Sequence, residues 1–432
     1  MPPYAARRKE MIEIKGKNGT ARVYTEEVEQ TAVGQIVNMM NQDWIKGQSV
    51  AVMADVHAGA GGVIGLTINL KEPVIPPDLV GSDIGCGVSL FLTDYKIDDK
   101  VELAKWLDSE VLEKIPSGER SFGSSNITPE YSKWLKNSLF APYNELKAEA
   151  GMGTLGGGNH FIEAYDYNGK LAISVHSGSR SLGGQVYKFY KQKAEKRLDV
   201  EFAREISFVI KKLKEQGRHT EIQSHIETLT KIHKMARPDQ EISILTDDDA
   251  LDYINDVEIL TEFATENRRR IFEAITKDLG IKEVKMIDKP HNFVQSIYLN
   301  DDMTEVAYIL RKGAQSGFAG ETVLIPINMR DGLIMGVVRD DPEIEERNFS
   351  FPHGAGRVKS RSQAKAELDL EVFKEQMKDV YSTSVGQATL DEAPDAYKSI
   401  TQIAEHTVHL MQQGSMKVLQ PFYNYKSSGG QE

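Results

Sequence analysis

The chain has 432 residues, 40% of them hydrophobic and 27% charged, with a formal net charge of −12. That is the composition of an ordinary globular protein with material for a large core, and the length allows two or three domains. The acidic balance excludes a general coating of nucleic acid but permits a local basic groove, because salt confines each charge to about 8–10 Å.

No apolar run approaches the roughly 20 residues that span a bilayer. Met1 to Lys15 lacks a signal-peptide core, so the expectation is a cytoplasmic protein with no membrane partner. Met11–Lys15 and Thr20–Tyr24 are predicted strands around the hairpin signal Gly16-Lys17-Asn18-Gly19. Val28, Val33, Ile36 and Met40 share a face and predict a helix from Glu26 to about Asn41. A strand over Ser49–Met53 runs into Ala54-Asp55-Val56-His57 and a glycine-rich turn. That turn reads either as an active-site loop or as a flexible turn with incidental polar groups. A strand over Val63–Leu70 and a stiff Pro73, Pro76, Pro77 loop lead to Gly81-Ser82-Asp83-Ile84-Gly85-Cys86-Gly87, which holds the only cysteine.

One cysteine cannot form an internal disulfide. Cys86 is then either a small buried hydrophobe or, with Asp83 on the same sharply bending backbone, half of a metal site. Imidazoles in similar surroundings offer the other half: His160 after Gly156-Gly157-Gly158-Asn159, His176 before Ser177-Gly178-Ser179-Arg180, and His291 in Pro290-His291-Asn292. By softness alone, thiolate and imidazole suit Zn²⁺ as readily as Mn²⁺.

Residues 100–150 read as helical, without legible chemistry. A strand is expected at Val88–Phe91, and others at Phe161–Tyr165 and Leu171–Val175. From about Gln185 to Leu279 the chain becomes long, charged and helical, and His219, His225 and His233 there read as surface or packing residues. On the last of these helices, about Asp249 to Thr276, Asn267 falls on the apolar face. It must find a partner or cost about 1–3 kcal/mol, so it either ties down a loop or reaches a ligand. Strands are expected at Val284–Ile287, Val306–Leu310, Val323–Ile327 and Leu333–Val338. Pro352-His353-Gly354-Ala355-Gly356-Arg357-Val358-Lys359-Ser360-Arg361 then sets a histidine and several cations before a helix starting at Ser362. Guanidinium forks match phosphate oxygens. A helix over Ala396–Gln412 and the segment Met416–Lys426 close the pattern; His406 and His409 read as packing or surface residues.

Together, Asp55-Val56-His57, Asp83-x-x-Cys86, Gly158-Asn159-His160-Phe161-x-Glu163, His176-Ser177-Gly178-Ser179-Arg180, His291-Asn292 and His353-Gly354-Ala355-Gly356-Arg357 resemble the RtcB family of RNA ligases, in that family's order. The resemblance implies a mixed α/β fold: one catalytic domain over residues 1–432, with central β-sheets surrounded by helices and a helical insertion over 185–279. It also implies joining of RNA 2′,3′-cyclic phosphate or 3′-phosphate ends to 5′-hydroxyl ends, with GTP and two Mn²⁺ ions, in RNA repair or tRNA splicing.

By motif, Asp83, Cys86, His160, His176 and His291 would be metal ligands, with Cys86 bridging, and His353 would take GMP from GTP. Asn159, Glu163, Tyr397 and Lys426 would contact the guanylate. Arg180, Arg357 and Arg361 would hold RNA phosphates, and Asp55 would act near the incoming 5′ end. One segment departs from the family pattern. Ile325-Pro326-Ile327-Asn328-Met329-Arg330-Asp331-Gly332 stands where a Gly-Ser-Met-Gly loop is usual, which bears on recognition of the guanine. Two other classes stay open, a metal-dependent RNA cyclic phosphodiesterase or phosphohydrolase and a non-catalytic RNA-binding factor. His353 and Lys426 favour nucleotidyl transfer over the first. The full ligand set counts against the second, because buried charge without a counter-ion is costly.

Overall fold

The structure, a computed structural model, describes residues 11–236, 241–298 and 303–427. A six-stranded sheet takes Ile12–Lys15, Thr20–Val23, Ser49–His57, Ile64–Leu70, Val306–Lys312 and Asn292–Tyr298 in that spatial order. A five-stranded antiparallel sheet takes Pro421–Lys426, Phe161–Tyr167, Lys170–Ser177, Gly87–Lys96 and Glu283–Pro290. Smaller sheets pair Ala314–Ser316 with Ser350–Pro352, and join Thr322–Pro326, Leu333–Val337 and Lys417–Leu419. With helices around these sheets, the fold is mixed α/β, as expected. Among the described residues, no helix is long and apolar enough to cross a membrane.

Ser49–His57 runs on past Met53 through Asp55. Residues 50–56 are all buried, and a strand covered on both faces reads as a continuous apolar run whose end is hard to place. Asn292–Tyr298 is not anticipated from its sequence and owes its strand to antiparallel pairing with Val306–Lys312. The helix Asp247–Thr276 contributes Ile254, Val257, Leu260 and Phe263 to the core under the six-stranded sheet. The same helix gives Ile271, Phe272 and Ile275 to the core of the five-stranded one. That part of the 185–279 stretch therefore belongs to the core. Arg180–Glu215 and Ile222–Ala236 pack on each other, with His219 exposed and His225 half-buried; the side chain of His233 lies outside the described residues.

Strand register gathers the chemistry. Phe161 pairs with both His176 and Lys426, and Gly87 pairs with Ser177 and Pro290. Cys86, His160 and His291 therefore sit at the same edge of the five-stranded sheet as His176. On the six-stranded sheet, Lys312 pairs with Leu66 and Asn292, and His57 pairs with Ile64. His291 is the single residue between the two sheets. The pairing of Ala314 with Pro352 then delivers His353 to this junction.

Candidate active site

Cys86 is buried, and its Sγ lies 3.4 Å from His160 Nε2 and 3.2 Å from His176 Nε2. His176 Nε2 is 3.3 Å from His291 Nε2, and Asp83 Oδ2 is 3.1 Å from His160 Nε2. Two potential ligand sets result, Cys86–His176–His291 and Asp83–Cys86–His160, each with its atoms within 4.8 Å of one another and the sulfur common to both. All five residues singled out in the sequence as metal ligands are thus brought together.

The donor set fits a metal. His160 Nδ1 lies 2.8 Å from the Leu155 carbonyl and can donate to it, which turns Nε2 toward the Cys86 sulfur and the Asp83 carboxylate. Such a backbone contact is the usual way of orienting a ligating imidazole. Burial pushes the imidazoles of His176 and His291 well below their ordinary range, so both are neutral and able to ligate. Burial also opposes charge on Asp83, but a proton on His160 Nε2, with the hydrogen bond it donates, outweighs burial and holds the carboxyl below its usual range; a metal ion would take that proton's place. Converging lone pairs repel one another unless a cation lies among them.

Asn267 and Arg268 hold the loops that carry these ligands. Asn267 accepts from Gly153 N at 2.6 Å and donates to Thr154 O at 3.1 Å, Ser177 Oγ at 2.9 Å and Gly178 O at 3.3 Å. Of its two sequence readings, loop-tying is the one realised. Arg268 is fully buried and donates to Gly85 O at 3.1 Å and Ser177 O at 2.8 Å, the carbonyls next to Cys86 and His176. Asn292 donates to Asp83 O at 3.2 Å and accepts from Gly313 N at 2.9 Å, joining the ligand loop to the turn after Val306–Lys312.

His353 lies against this cluster, its ring centroid 4.7 Å from that of His291. Asp55 Oδ2 is 2.6 Å from His353 Nδ1 and accepts from the His353 and Gly354 amides at 3.0 and 3.3 Å. The carboxylate therefore favours the tautomer with its proton on Nδ1 and leaves the Nε2 lone pair for chemistry. Asp55 is fully buried, and its Oδ1 has no hydrogen-bond partner among the described residues. Gly356 has φ of 73°, and a Cβ there would stand 2.1 Å from Asp55 O, so only glycine fits.

Behind Asp55, Lys398 donates to Ala54 O at 2.8 Å and Val56 O at 3.1 Å. Burial lowers its ammonium below the usual range. No sequence signal marks this lysine, since lysines lie on the surface by default. His57 Nδ1 contacts Asp55 O at 2.8 Å, and burial lowers its imidazole to about 4.

A cleft of about 790 Å³ opens over His353 and His176 and reaches Asn159, Glu163, Tyr397 and Lys426. Three of its cations converge on a residue that sequence reasoning left unassigned, Glu392. Lys426 Nζ lies 2.9 Å from Glu392 Oε2, while Arg361 and Arg357 reach Oε1 at 2.8 and 3.3 Å. Tyr397 donates to the same carboxylate at 2.5 Å. Burial opposes this charge, yet Lys426, Arg361 and Arg357 together bring Glu392 down to about 2. The adjacent acids Asp391-Glu392, in a chain where Arg357, Arg361 and Lys426 had no acidic partner, were the available signal.

Arg357 lies ahead of the helix Arg361–Glu367, so the two arginines do not share a helical face; the common carboxylate brings them together. Lys426 also donates to Asn159 O at 2.9 Å. Glu163 accepts from Asn424 at 2.7 Å and from Tyr165, and burial pushes its carboxyl up to about 7. In the 325–332 turn, Asn328 accepts from the Arg330 and Asp331 amides and donates to Asp331 Oδ2 at 2.9 Å. Its side chain is spent on the turn. Met329 is buried among Phe373, Met377 and Leu390.

These features define a class: a mixed α/β protein whose candidate metal centre stands beside an aspartate-held histidine under a cationic cleft. The chain belongs to the RtcB family, since the family model described as tRNA-splicing ligase RtcB matches residues 35–140 and 132–427. The RNA-splicing ligase RtcB of Escherichia coli K12 is 29% identical over 424 residues, 90% of this chain and 93% of its own. The tRNA-splicing ligase RtcB of Archaeoglobus fulgidus is 26% identical over 449 residues, covering 86% of each chain. That of Aeropyrum pernix is 25% identical over 427 residues, covering 82% of this chain and 83% of its own.

Proposed function

We propose that this RtcB-family ligase seals RNA, joining a 2′,3′-cyclic phosphate or 3′-phosphate end to a 5′-hydroxyl end with GTP and two Mn²⁺ ions, in RNA repair or tRNA splicing. The observation that most supports this is His353, held by Asp55 through Nδ1 and set against the thiolate–imidazole cluster. Asp83, Cys86, His160, His176 and His291 would hold the ions, which when bound neutralise phosphate oxygens and the departing pyrophosphate.

His353 Nε2 attacks the α-phosphorus of GTP; a P–N bond forms, the P–O bond to pyrophosphate breaks, and pyrophosphate leaves. Asp55 keeps the Nδ1 proton in place and stabilises the charge that develops on the ring. An oxygen of the RNA 3′-phosphate then attacks the same phosphorus and the P–N bond breaks, regenerating His353. A cyclic end first takes up water to become a 3′-phosphate. The 5′-hydroxyl finally attacks the activated 3′-phosphate, losing its proton and displacing GMP.

Asn159, Glu163, Tyr397 and Lys426 bind the guanylate. Arg180, Arg357 and Arg361 hold RNA phosphates; in the cleft, Lys426, Arg357 and Arg361 set three positive charges against Glu392 and Asp391. The whole chain acts as one catalytic domain, and a reducing cytoplasm suits the Cys86 thiolate.

The test is incubation with labelled GTP, Mn²⁺ and two RNA strands bearing the complementary ends. The expected result is labelled protein that survives denaturation and a sealed RNA. An opened cyclic phosphate with neither labelled protein nor sealed product would overturn ligation in favour of a phosphodiesterase.

A further inference from the structure

His57 ends the strand Ser49–His57 and lines the same cleft as His353, yet the guanylyl-transfer steps make no use of it. Its Nδ1 lies 2.8 Å from Asp55 O, and a carbonyl oxygen only accepts, so Nδ1 carries the proton and Nε2 a lone pair. Among the described residues, no group hydrogen-bonds to that Nε2, and the half-buried ring keeps it open to the cleft. Burial holds the imidazole neutral at physiological pH.

The backbone beyond His57 is pinned by the first long helix, Gln30–Met40, and the residue before it. Glu29 accepts from Ala58 N at 2.5 Å, while Gln35 accepts from Gly59 N at 3.2 Å and donates to Gly59 O at 2.8 Å. A Cβ at Gly59 would stand 2.7 Å from Gly62 O, so the turn folds tightly on itself at the cleft wall. The orientation of the ring is thereby set at folding and not at reaction.

Position separates His57 from the nucleotide. Asn159, Glu163 and Lys426, three of the proposed guanylate contacts, lie on or beside the five-stranded sheet, whereas His57 belongs to the six-stranded one. His353 stands at the junction between them. Displacement at phosphorus sets the attacking and leaving oxygens roughly in line. With GMP departing on the five-stranded side, the attacking hydroxyl enters from the side of His57.

We propose that His57 is the general base of the sealing step, its Nε2 accepting the proton of the RNA 5′-hydroxyl. The 5′-oxygen attacks the phosphorus of the activated 3′-phosphate, and a new P–O bond forms as the P–O bond to GMP breaks. GMP leaves with the electron pair, and the proton passes to Nε2 and then to water. The anionic phosphates gathered at this step raise the proton affinity of a neighbouring imidazole, which lets a ring that is neutral beforehand take up the proton. The assignment rests on the RNA-ligation reading above.

Single-turnover sealing of an RNA already guanylylated at its 3′ end to a 5′-hydroxyl strand isolates this step. Self-labelling by GTP with Mn²⁺, on the same protein, reports the first one. His57→Ala and His57→Gln should each slow sealing about 10²–10⁴-fold, the usual span for a general base, and label within a few-fold of the unaltered protein. The glutamine keeps a hydrogen-bonding side chain but takes no proton, so sealing at full rate by either variant overturns the proposal. Parallel loss of labelling and sealing in both variants makes His57 a support for Asp55 and overturns it as well. Loss of labelling alone assigns His57 to the nucleotide, with the same consequence. An unaltered protein that neither labels nor seals sinks the ligation reading and this assignment together; one that seals, beside variants that seal equally, sinks the assignment alone.

Discussion

Replacing Arg268 should weaken metal binding as well as the fold around it. Its guanidinium contacts Asp288 Oδ1 at 2.8 and 3.0 Å and Oδ2 at 3.0 Å, and Ser89 Oγ at 2.8 Å, besides the two carbonyls beside the ligands. Removing one partner of a buried ion pair costs about 3–5 kcal/mol. The lower end applies here, because Asp288 keeps 20% side-chain exposure and its bonds from Ser89 and Thr265. Each stranded carbonyl adds about 1–3 kcal/mol if it finds no water. Arg268→Met thus approaches the whole stability of an ordinary domain, about 5–15 kcal/mol.

Arg268→Lys is the informative change, since it keeps the charge but cannot span Asp288, Gly85 O and Ser177 O at once. We expect it to lose about 1–3 kcal/mol in denaturant unfolding of metal-free protein. Metal affinity should fall about 10–100-fold in buffered titrations, the usual effect of losing an outer support. Unchanged metal affinity alongside the stability loss would refute the positioning role and leave Arg268 a purely structural residue.

Glu163 should make stability depend on pH. Its carboxyl is raised from 4.5 to about 7 by burial, against the lowering effect of Tyr165, Asn424 and Lys426. Between those values the folded state keeps a proton that the unfolded state has released, so stability falls as pH rises through the window and the loss is complete above about 7. The full contribution is about 3 kcal/mol. Glu163→Gln should remove that slope in unfolding series run from acid to alkaline pH; parallel curves for the two proteins would contradict it. Asp55→Asn should slow self-labelling by GTP on the order of 10⁴-fold, the scale set by a histidine held in the wrong tautomer, while metal content stays intact. Labelling within a few-fold of the unaltered rate would remove Asp55 from the mechanism.

The candidate metal ligands were legible because Asp83, Cys86, His160 and His176 sit in glycine-framed loops next to predicted strands, and the antiparallel register then leaves little choice about where they and His291 meet. The strand Asn292–Tyr298 was not legible, because its partner at Val306–Lys312 decides it. Glu392 and Lys398 escaped for a related reason. Their importance lies in what converges on them from distant segments, Lys426 and Arg361 on one and the Ala54 and Val56 carbonyls under the other. Asn267 announced itself as a polar residue on an apolar face, but its partners in the Gly153–Thr154 and Ser177–Gly178 loops emerge only from the packed helix.

The central claim is that His353 carries the guanylate. Peptide mapping of protein labelled with GTP under mild alkaline conditions, where a phosphoramidate survives, tests it directly. The adduct should lie on His353 and be lost in acid. His353→Ala should neither label nor seal cyclic-phosphate RNA, yet should still seal an RNA already guanylylated at its 3′ end. An adduct on Lys426, or labelling that persists in His353→Ala, would contradict the account.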